Sequence, residues 1–382
     1  MNQNKKTHPD WWLLLATLCL LAVGLIMVFS SSMYVAAYEF DDILYYLRTQ
    51  GLAAVLGLCC MFVAYNFSMR FLRLVAWPLA LVVLGLLIFM VTSSNVESIA
   101  GTLRFLRLGD YGFQPSELCK VALPLILAKQ LSDNLPRIRE FKTAYMPALI
   151  AVGLTSVLIV AQRDFSSGVV VACTGFIMMF CAGIRAGYLV GTLSLGGGLG
   201  ALAIMMEPYR LLRLSYWLDP WSDELGSGLQ MVQSLTALGN GGLTGVGLGA
   251  GGSKWYYLPE RHNDFIFSVL GEELGFIGAL LIVLLFALLL WRGLMIAVHA
   301  EDTFASLLAL GLVSSLGIQT LMNLGVVTGI LPVTGVTLPL ISYGGSSLLV
   351  SLTAIGLLLN ISRLTKNNAA DSNKYSVYDI QD

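Results

Sequence analysis

The residues able to do chemistry in this chain gather at the edges of its apolar runs. In Leu258-Pro259-Glu260-Arg261-His262-Asn263-Asp264-Phe265-Ile266-Phe267, five polar or ionisable side chains stand directly ahead of a segment that must enter a membrane. A carboxylate at such a boundary is costly to keep charged unless it is paired or used, which makes Asp264 the first candidate for catalysis. Gln114-Pro115-Ser116-Glu117-Leu118-Cys119-Lys120 opens another apolar run. Pro115 suits a first helical turn, and Glu117 suits the positive end of a helix dipole. Neither point accounts for Lys120, three residues deeper on the same helical face. A Glu–Lys pair just inside a membrane points to a wet, functional cavity.

Asp164, in Gln162-Arg163-Asp164-Phe165-Ser166-Ser167-Gly168, has two readings, a helix cap or a site residue. Arg104 and Arg107 sit together in one polar stretch, and Arg210 and Arg213 begin a longer one. Their forked donors suit a phosphate, and contact with lipid headgroups is the plainer alternative. Lys254, Glu260 and His262 ahead of Asp264, and Ser342 in a Pro- and Gly-broken stretch, complete the candidates for substrate contact.

These residues need a scaffold, and composition supplies its class. Of 382 residues 57% are hydrophobic and 12% charged, about half the charge of a soluble domain. Apolar runs recur along the whole length, so the chain is expected to be an all-α polytopic membrane protein, because lipid forces each backbone group to pair within its own helix. Ten spans are predicted, at about 11–33, 51–66, 75–92, 115–131, 143–162, 167–183, 187–206, 265–291, 303–323 and 346–362. Residues 1–366 form one integral membrane domain and 367–382 a short tail. The run Trp11 to Val28 reads as a retained anchor, too long for a signal segment. The six cysteines lie in or beside apolar runs without a CxxC pair and read as small core residues. With a net charge of −1 and no basic tract, no nucleic-acid partner is expected.

Lys and Arg set the orientation. With both termini cytoplasmic, thirteen fall on inner segments and eight on outer ones. The outer segments are the rich ones: 101–117, 162–168, 327–347 and the long loop 207–264 between spans seven and eight, with its Gly-rich middle at 239–252. That middle does not follow a strand, so its glycines do not read as a nucleotide site. Ile330–Gly335 and Leu338–Ser347 break the C-terminal apolar region and read as a re-entrant or kinked segment, tolerated at membrane depth only against protein or a wet cavity.

Taken together, the QPSExxK run, Gln162–Asp164, Pro208-Tyr209-Arg210 with Asp219-Pro220-Trp221, the LPExHxDFIF run, Glu272-Glu273-Leu274-Gly275 and the LPLISYGGSS run resemble the SEDS family, which includes FtsW, RodA and SpoVE. The resemblance covers essentially the whole spanning region. It implies a ten-span peptidoglycan glycosyltransferase of the bacterial plasma membrane that polymerises lipid II at the outer face, with a class B penicillin-binding protein as transpeptidase partner among divisome or elongasome membrane proteins. The family's essential aspartate falls on Asp264, the Glu and Lys of its QPSExxK motif on Glu117 and Lys120, and its loop arginine on Arg104. Three positions depart from the family pattern: Arg163 stands where Pro is usual, Phe105 where Trp is, and Asn263 where Thr is common. The stretches Gly24–Val28 and Gly356–Arg363 are closer to FtsW and SpoVE than to RodA.

The implied reaction is one inverting displacement, so a single base carboxylate suffices and cations must help the diphosphate leave. Asp264 fits the base. A divalent cation, Mg or Mn, held by diphosphate and carboxylate oxygens is compatible with this, and no organic cofactor is expected. The rival class is a flippase for the same lipid, which would need polar access from both faces. A non-catalytic scaffold would leave Asp264 and Lys120 unexplained.

Overall fold

A computed structural model describes residues 8–92, 105–108, 111–205, 215–224, 226, 228–252 and 263–376. Ten long helices follow the ten predicted spans: α1 Trp11–Phe40, α2 Tyr45–Tyr65, α3 Met69–Thr92, α4 Pro115–Asp133, α5 Met146–Ala161, α6 Phe165–Cys181 and α7 Ala186–Met205 come first. An extra helix, α8 Leu229–Gly241, precedes α9 Ile266–His299, α10 Thr303–Val327 and α11 Gly345–Ser376. Seven of the described helices are long and apolar enough to cross a membrane. The fold is all-α and polytopic.

The sequence reading missed three local features. A short antiparallel hairpin, β1 Leu106–Leu108 with β2 Tyr111–Phe113, leads into α4. The long segment between the seventh and eighth spans is not simply a loop, since it contains α8, whose buried Met231, Val232, Ser234 and Ala237 form an inward stripe at helical spacing. Helix α11 runs past the predicted end of the last span, to Ser376.

Helix α4 is the axis of the bundle. It carries Glu117, Lys120, Lys129 and Asp133, too many charges for a lipid-facing span, and 14 of its 19 residues are buried. It packs against α3, α5, α6, α10 and α11. By contrast α7 lies at the rim, with most of its described side chains exposed.

The two ends of the bundle are tied differently. At the end holding Asp10 and Ser362, Arg292 pairs with Asp10, which also caps α1 by accepting from the Leu13 N–H at 3.1 Å. There Arg73 pairs with Asp302 at 2.7 Å, and Asn360 donates to the Ala64 and Phe67 carbonyls, which holds α11 against α2. At the opposite end the chain between α10 and α11 turns back into the protein, as the Pro and Gly content predicts. Val336, Leu338, Leu340, Ile341 and Ser342 are all buried. Gly24 of α1 makes room for this segment, since a Cβ there would run into the Leu340 carbonyl and Ile341 Cα. Gln50 of α2 grips it with both ends of its amide, donating to the Ser342 carbonyl at 3.1 Å and accepting from the Gly344 N–H at 3.2 Å. These bonds satisfy irregular backbone that is buried against protein.

Candidate functional site

The site lies where α4, α6, α9 and α10 meet the inturned segment. Glu117 and Lys120 stand one turn apart on α4, and Lys120 Nζ donates to Glu117 Oε1 at 2.6 Å, with both side chains buried. The same ammonium donates to Gln319 Oε1 on α10 at 2.9 Å. Gln319 in turn donates to the Thr337 carbonyl at 2.9 Å and to Ser347 Oγ at 3.4 Å. A charge this deep survives because its partners are charged or strongly polar acceptors held in place.

Asp264 occupies the turn just ahead of α9 and is half-buried. Its backbone carbonyl accepts from Asn323 Nδ2 at 2.8 Å, and the same amide group donates to the Val336 carbonyl at 2.6 Å. Its carboxylate lies over Gly335, where a Cβ would sit 3.4 Å from Oδ2. Gly335 has φ 78, a left-handed backbone that glycine adopts without strain. Gln319 and Asn323 are four residues apart on one face of α10. One therefore ties Lys120 to the inturned segment, and the other ties the Asp264 turn to it.

Sequence reasoning did not single out these two carboxamides. They carry no charge, but two amides at helical spacing within a span are unusual enough to have drawn attention. Three acceptors in this region, Glu117 Oε2, Asn323 Oδ1 and Thr334 Oγ1, are buried with no partner among the described residues. Each would gain a donor from a hydroxyl-rich ligand or water.

Asp164 is buried, and both its oxygens accept from protein donors. It caps α6 by accepting from the Ser167 N–H at 3.2 Å, and its other oxygen accepts from Gln114 Nε2 at 2.9 Å and Ser116 Oγ at 3.1 Å. It thereby joins the starts of α4 and α6. Arg163 before it has φ 62, a conformation closed to the proline that the family usually places there. Ser342 is likewise occupied: its hydroxyl accepts from the Leu338 N–H at 2.8 Å and closes the inturned bend. Both residues position backbone. Arg104, Arg210, Arg213, Lys254, Glu260 and His262 lie outside the described residues.

Comparison with known proteins matches the description "Cell cycle protein", the FtsW/RodA/SpoVE family model, over residues 11–367. The chain belongs to this family. It is similar to stage V sporulation protein E of Bacillus subtilis, 44% identical over 366 residues, covering 95% of this chain and 99% of that protein. It is also similar to the probable peptidoglycan glycosyltransferase FtsW of Geobacter metallireducens, 40% identical over 96% of this chain and 98% of the other. Among solved structures, a chain of a peptidoglycan synthase complex that coordinates polymerisation and crosslinking aligns with TM-score 0.78 and 32% identity, covering 94% of this chain and 98% of that one. The rod-shape-determining protein RodA of Thermus thermophilus aligns at TM-score 0.69 and 31% identity, covering 93% and 97%. The FtsW/RodA/SpoVE scaffold thus extends over nearly the whole chain, including every element that positions Asp264 and the Glu117–Lys120 pair.

Proposed function

We infer that this FtsW/RodA/SpoVE-family chain is a peptidoglycan glycosyltransferase. The observation that carries the reading is the bridge of α10, which links a buried Lys–Glu pair to the segment lying under the Asp264 carboxylate. The substrate proposed is lipid II, polymerised at the outer face of the plasma membrane. Asp264 accepts the proton of the incoming sugar 4-hydroxyl as that oxygen attacks the anomeric carbon of the donor. The lipid diphosphate leaves from the opposite side, and the configuration inverts in one step. Lys120 provides positive charge for the diphosphate, and Glu117 with Gln319 holds the ammonium in place. Asp164 and Ser342 act as positioning residues.

A divalent cation, Mg or Mn, is compatible as a shared ion. Among the described residues no group of three His, Cys, Asp or Glu side chains stands ready for a metal. Glu117 Oε2, buried without a partner among the described residues, would be one hard oxygen donor, and the substrate diphosphate would supply others. Such an ion would neutralise charge building on the leaving group.

The similarity to a synthase complex chain supports a class B penicillin-binding protein as transpeptidase partner, with other divisome or elongasome membrane proteins around it. Orientation follows from the Lys/Arg bias, with the Asp10 end cytoplasmic and the Asp264 end outside. An impermeant thiol reagent tests it: Ala250→Cys should react in intact cells after removal of the native cysteines, and Ile138→Cys only after lysis. The activity itself is tested by incubating the purified protein with fluorescent lipid II, with and without the transpeptidase. Glycan ladders are expected, and their absence where a control polymerase works would reject the reading.

A further inference from the structure

The Glu272-Glu273-Leu274-Gly275 stretch and the Gly-rich turn 241–252 take no part in the mechanism above, yet they form one unit. Helix α9 is broken at Gly275, which has φ 68 and ψ −170. In an unbroken helix the Phe276 and Ile277 N–H groups would donate to the carbonyls of Glu272 and Glu273. Here the turn takes both places. Val246 N–H and Gly247 N–H donate to the Glu272 and Glu273 carbonyls, each at 3.0 Å. Phe276 and Ile277 donate instead to the Gly242 and Leu243 carbonyls, at 2.9 and 3.1 Å. These four backbone groups are therefore satisfied by loop backbone, as a helix interrupted within a membrane protein requires.

The fit leaves no room for side chains. A Cβ on Gly245, itself at φ 80, would collide with the Glu273 carbonyl, and one on Gly275 would collide with Gly245 N and the Leu243 carbonyl. A Cβ on Gly241 would strike the Gly271 carbonyl. The two glutamates pin the break on either side. Glu272 Oε1 accepts from the Gly252 N–H at 3.0 Å, and Glu273 accepts from Ser30 of α1 at 2.6 Å. Both carboxylates are buried. Ahead of the break, Ile266 to Glu273 are all buried, and the Asp264 turn sits on the front of this half-helix.

We propose that the Gly241–Gly252 turn is a backbone splint that sets the position of the half-helix Ile266–Leu274 and so of Asp264. Gly245, Gly275 and Glu272 are then positioning residues of the polymerase. This rests on the polymerase reading for its kinetic part only. Without the splint, α9 heals into a continuous helix, and its outer part turns relative to α4 and α10. Displacing a catalytic group by about 1 Å costs on the order of 10²-fold in rate.

Two measurements test it. Hydrogen exchange on the full-length wild-type protein should find the amides of Val246, Gly247, Phe276 and Ile277 protected together, and Gly245→Ala should release all four. Rapid exchange at Val246 and Gly247 in the wild type would overturn the splint whatever the activity. In lipid II polymerisation, Gly245→Ala and Glu272→Leu should lower kcat by ~10²-fold with KM within about twofold. Glu272→Gln keeps a carbonyl acceptor for Gly252 and should stay near the wild type. If Gly245→Ala is not recovered folded, the Glu272→Leu and Glu272→Gln pair decides by the same split. Wild-type kcat in Glu272→Leu, or an equal loss in Glu272→Gln, would overturn the positioning role. A wild-type protein that makes no glycan would instead count against the polymerase reading and leave the exchange test standing.

Discussion

At the Asp10 end of the bundle, Arg73 and Asp302 pair at 2.7 Å with side chains 41% and 46% exposed; at the Asp264 end, Lys120 and Glu117 pair at 2.6 Å with side chains 7% and 5% exposed. The first pair joins neighbouring helices through solvent-screened charge and needs no further support. The second sits where desolvation is costly, and it persists only because Gln319, the inturned segment and α4 surround it. The Asp10 end has its own irregular pieces, a 3-10 turn at Leu135–Arg137 and a π-helical turn at Phe141–Tyr145 between α4 and α5. The Asp264 end stores irregular backbone at Gly335, Leu340 and Gly275, each with positive φ. Leu340, as a buried non-glycine residue in that region, is held there by its surroundings. Both ends hold a buried carboxylate in an ion pair, Asp10 with Arg292 and Glu117 with Lys120, but only in the second are both side chains buried, which is how chemistry needs groups fixed in advance.

The contrast makes graded expectations. Asp264→Asn should keep insertion and folding but reduce glycan synthesis by ~10²–10⁴-fold, the usual cost of losing a placed general base. Near-normal ladders from that variant would remove Asp264 from the chemistry. Lys120→Ala leaves the Glu117 carboxylate buried and uncompensated, so thermal unfolding should report a loss of about 3–5 kcal/mol together with lost activity. Glu117→Ala and Lys120→Ala should not add in a double-mutant cycle. Additive losses would reduce Glu117 to a helix-end residue. Asn323→Leu keeps the shape but removes two donors, from the Asp264 and Val336 carbonyls. It should cost about 2 kcal/mol of stability, roughly 1 per hydrogen bond, read by thermal unfolding, and lower kcat as the Asp264 turn loosens. Arg73→Ala at the opposite end should change stability by no more than about 1 kcal/mol and leave polymerisation at the wild-type rate. An activity loss there as large as at Asn323 would erase the distinction between the ends.

Much of this was legible in the sequence because apolar runs of membrane length admit only helices. Each of the ten runs became one helix, and the charges inside or beside them marked Glu117, Lys120 and Asp264. The inturning of Leu338–Ser342 was legible from its Pro and Gly. Other features were not. The break in α9 hides within an apolar run, since Gly275 looks like any membrane glycine until Gly245 is seen to interlock with it. Gln319 and Asn323 matter through partners far away in the chain, which no local pattern reveals. Asp164 had two readings from sequence; it does cap α6, and that it also joins α6 to the start of α4 could not be read from its neighbours in the chain.

The central claim is that the Asp264 end polymerises and that the chain does not carry its lipid across the membrane. Proteoliposomes bearing the protein, with and without the proposed class B penicillin-binding protein, should be given lipid II on the Asp264 side and followed for both glycan ladders and transbilayer movement. The account predicts ladders from the wild type, none from Asp264→Asn, and no acceleration of movement between leaflets by either. Transbilayer movement without glycan product, under conditions where a control polymerase works, would contradict it.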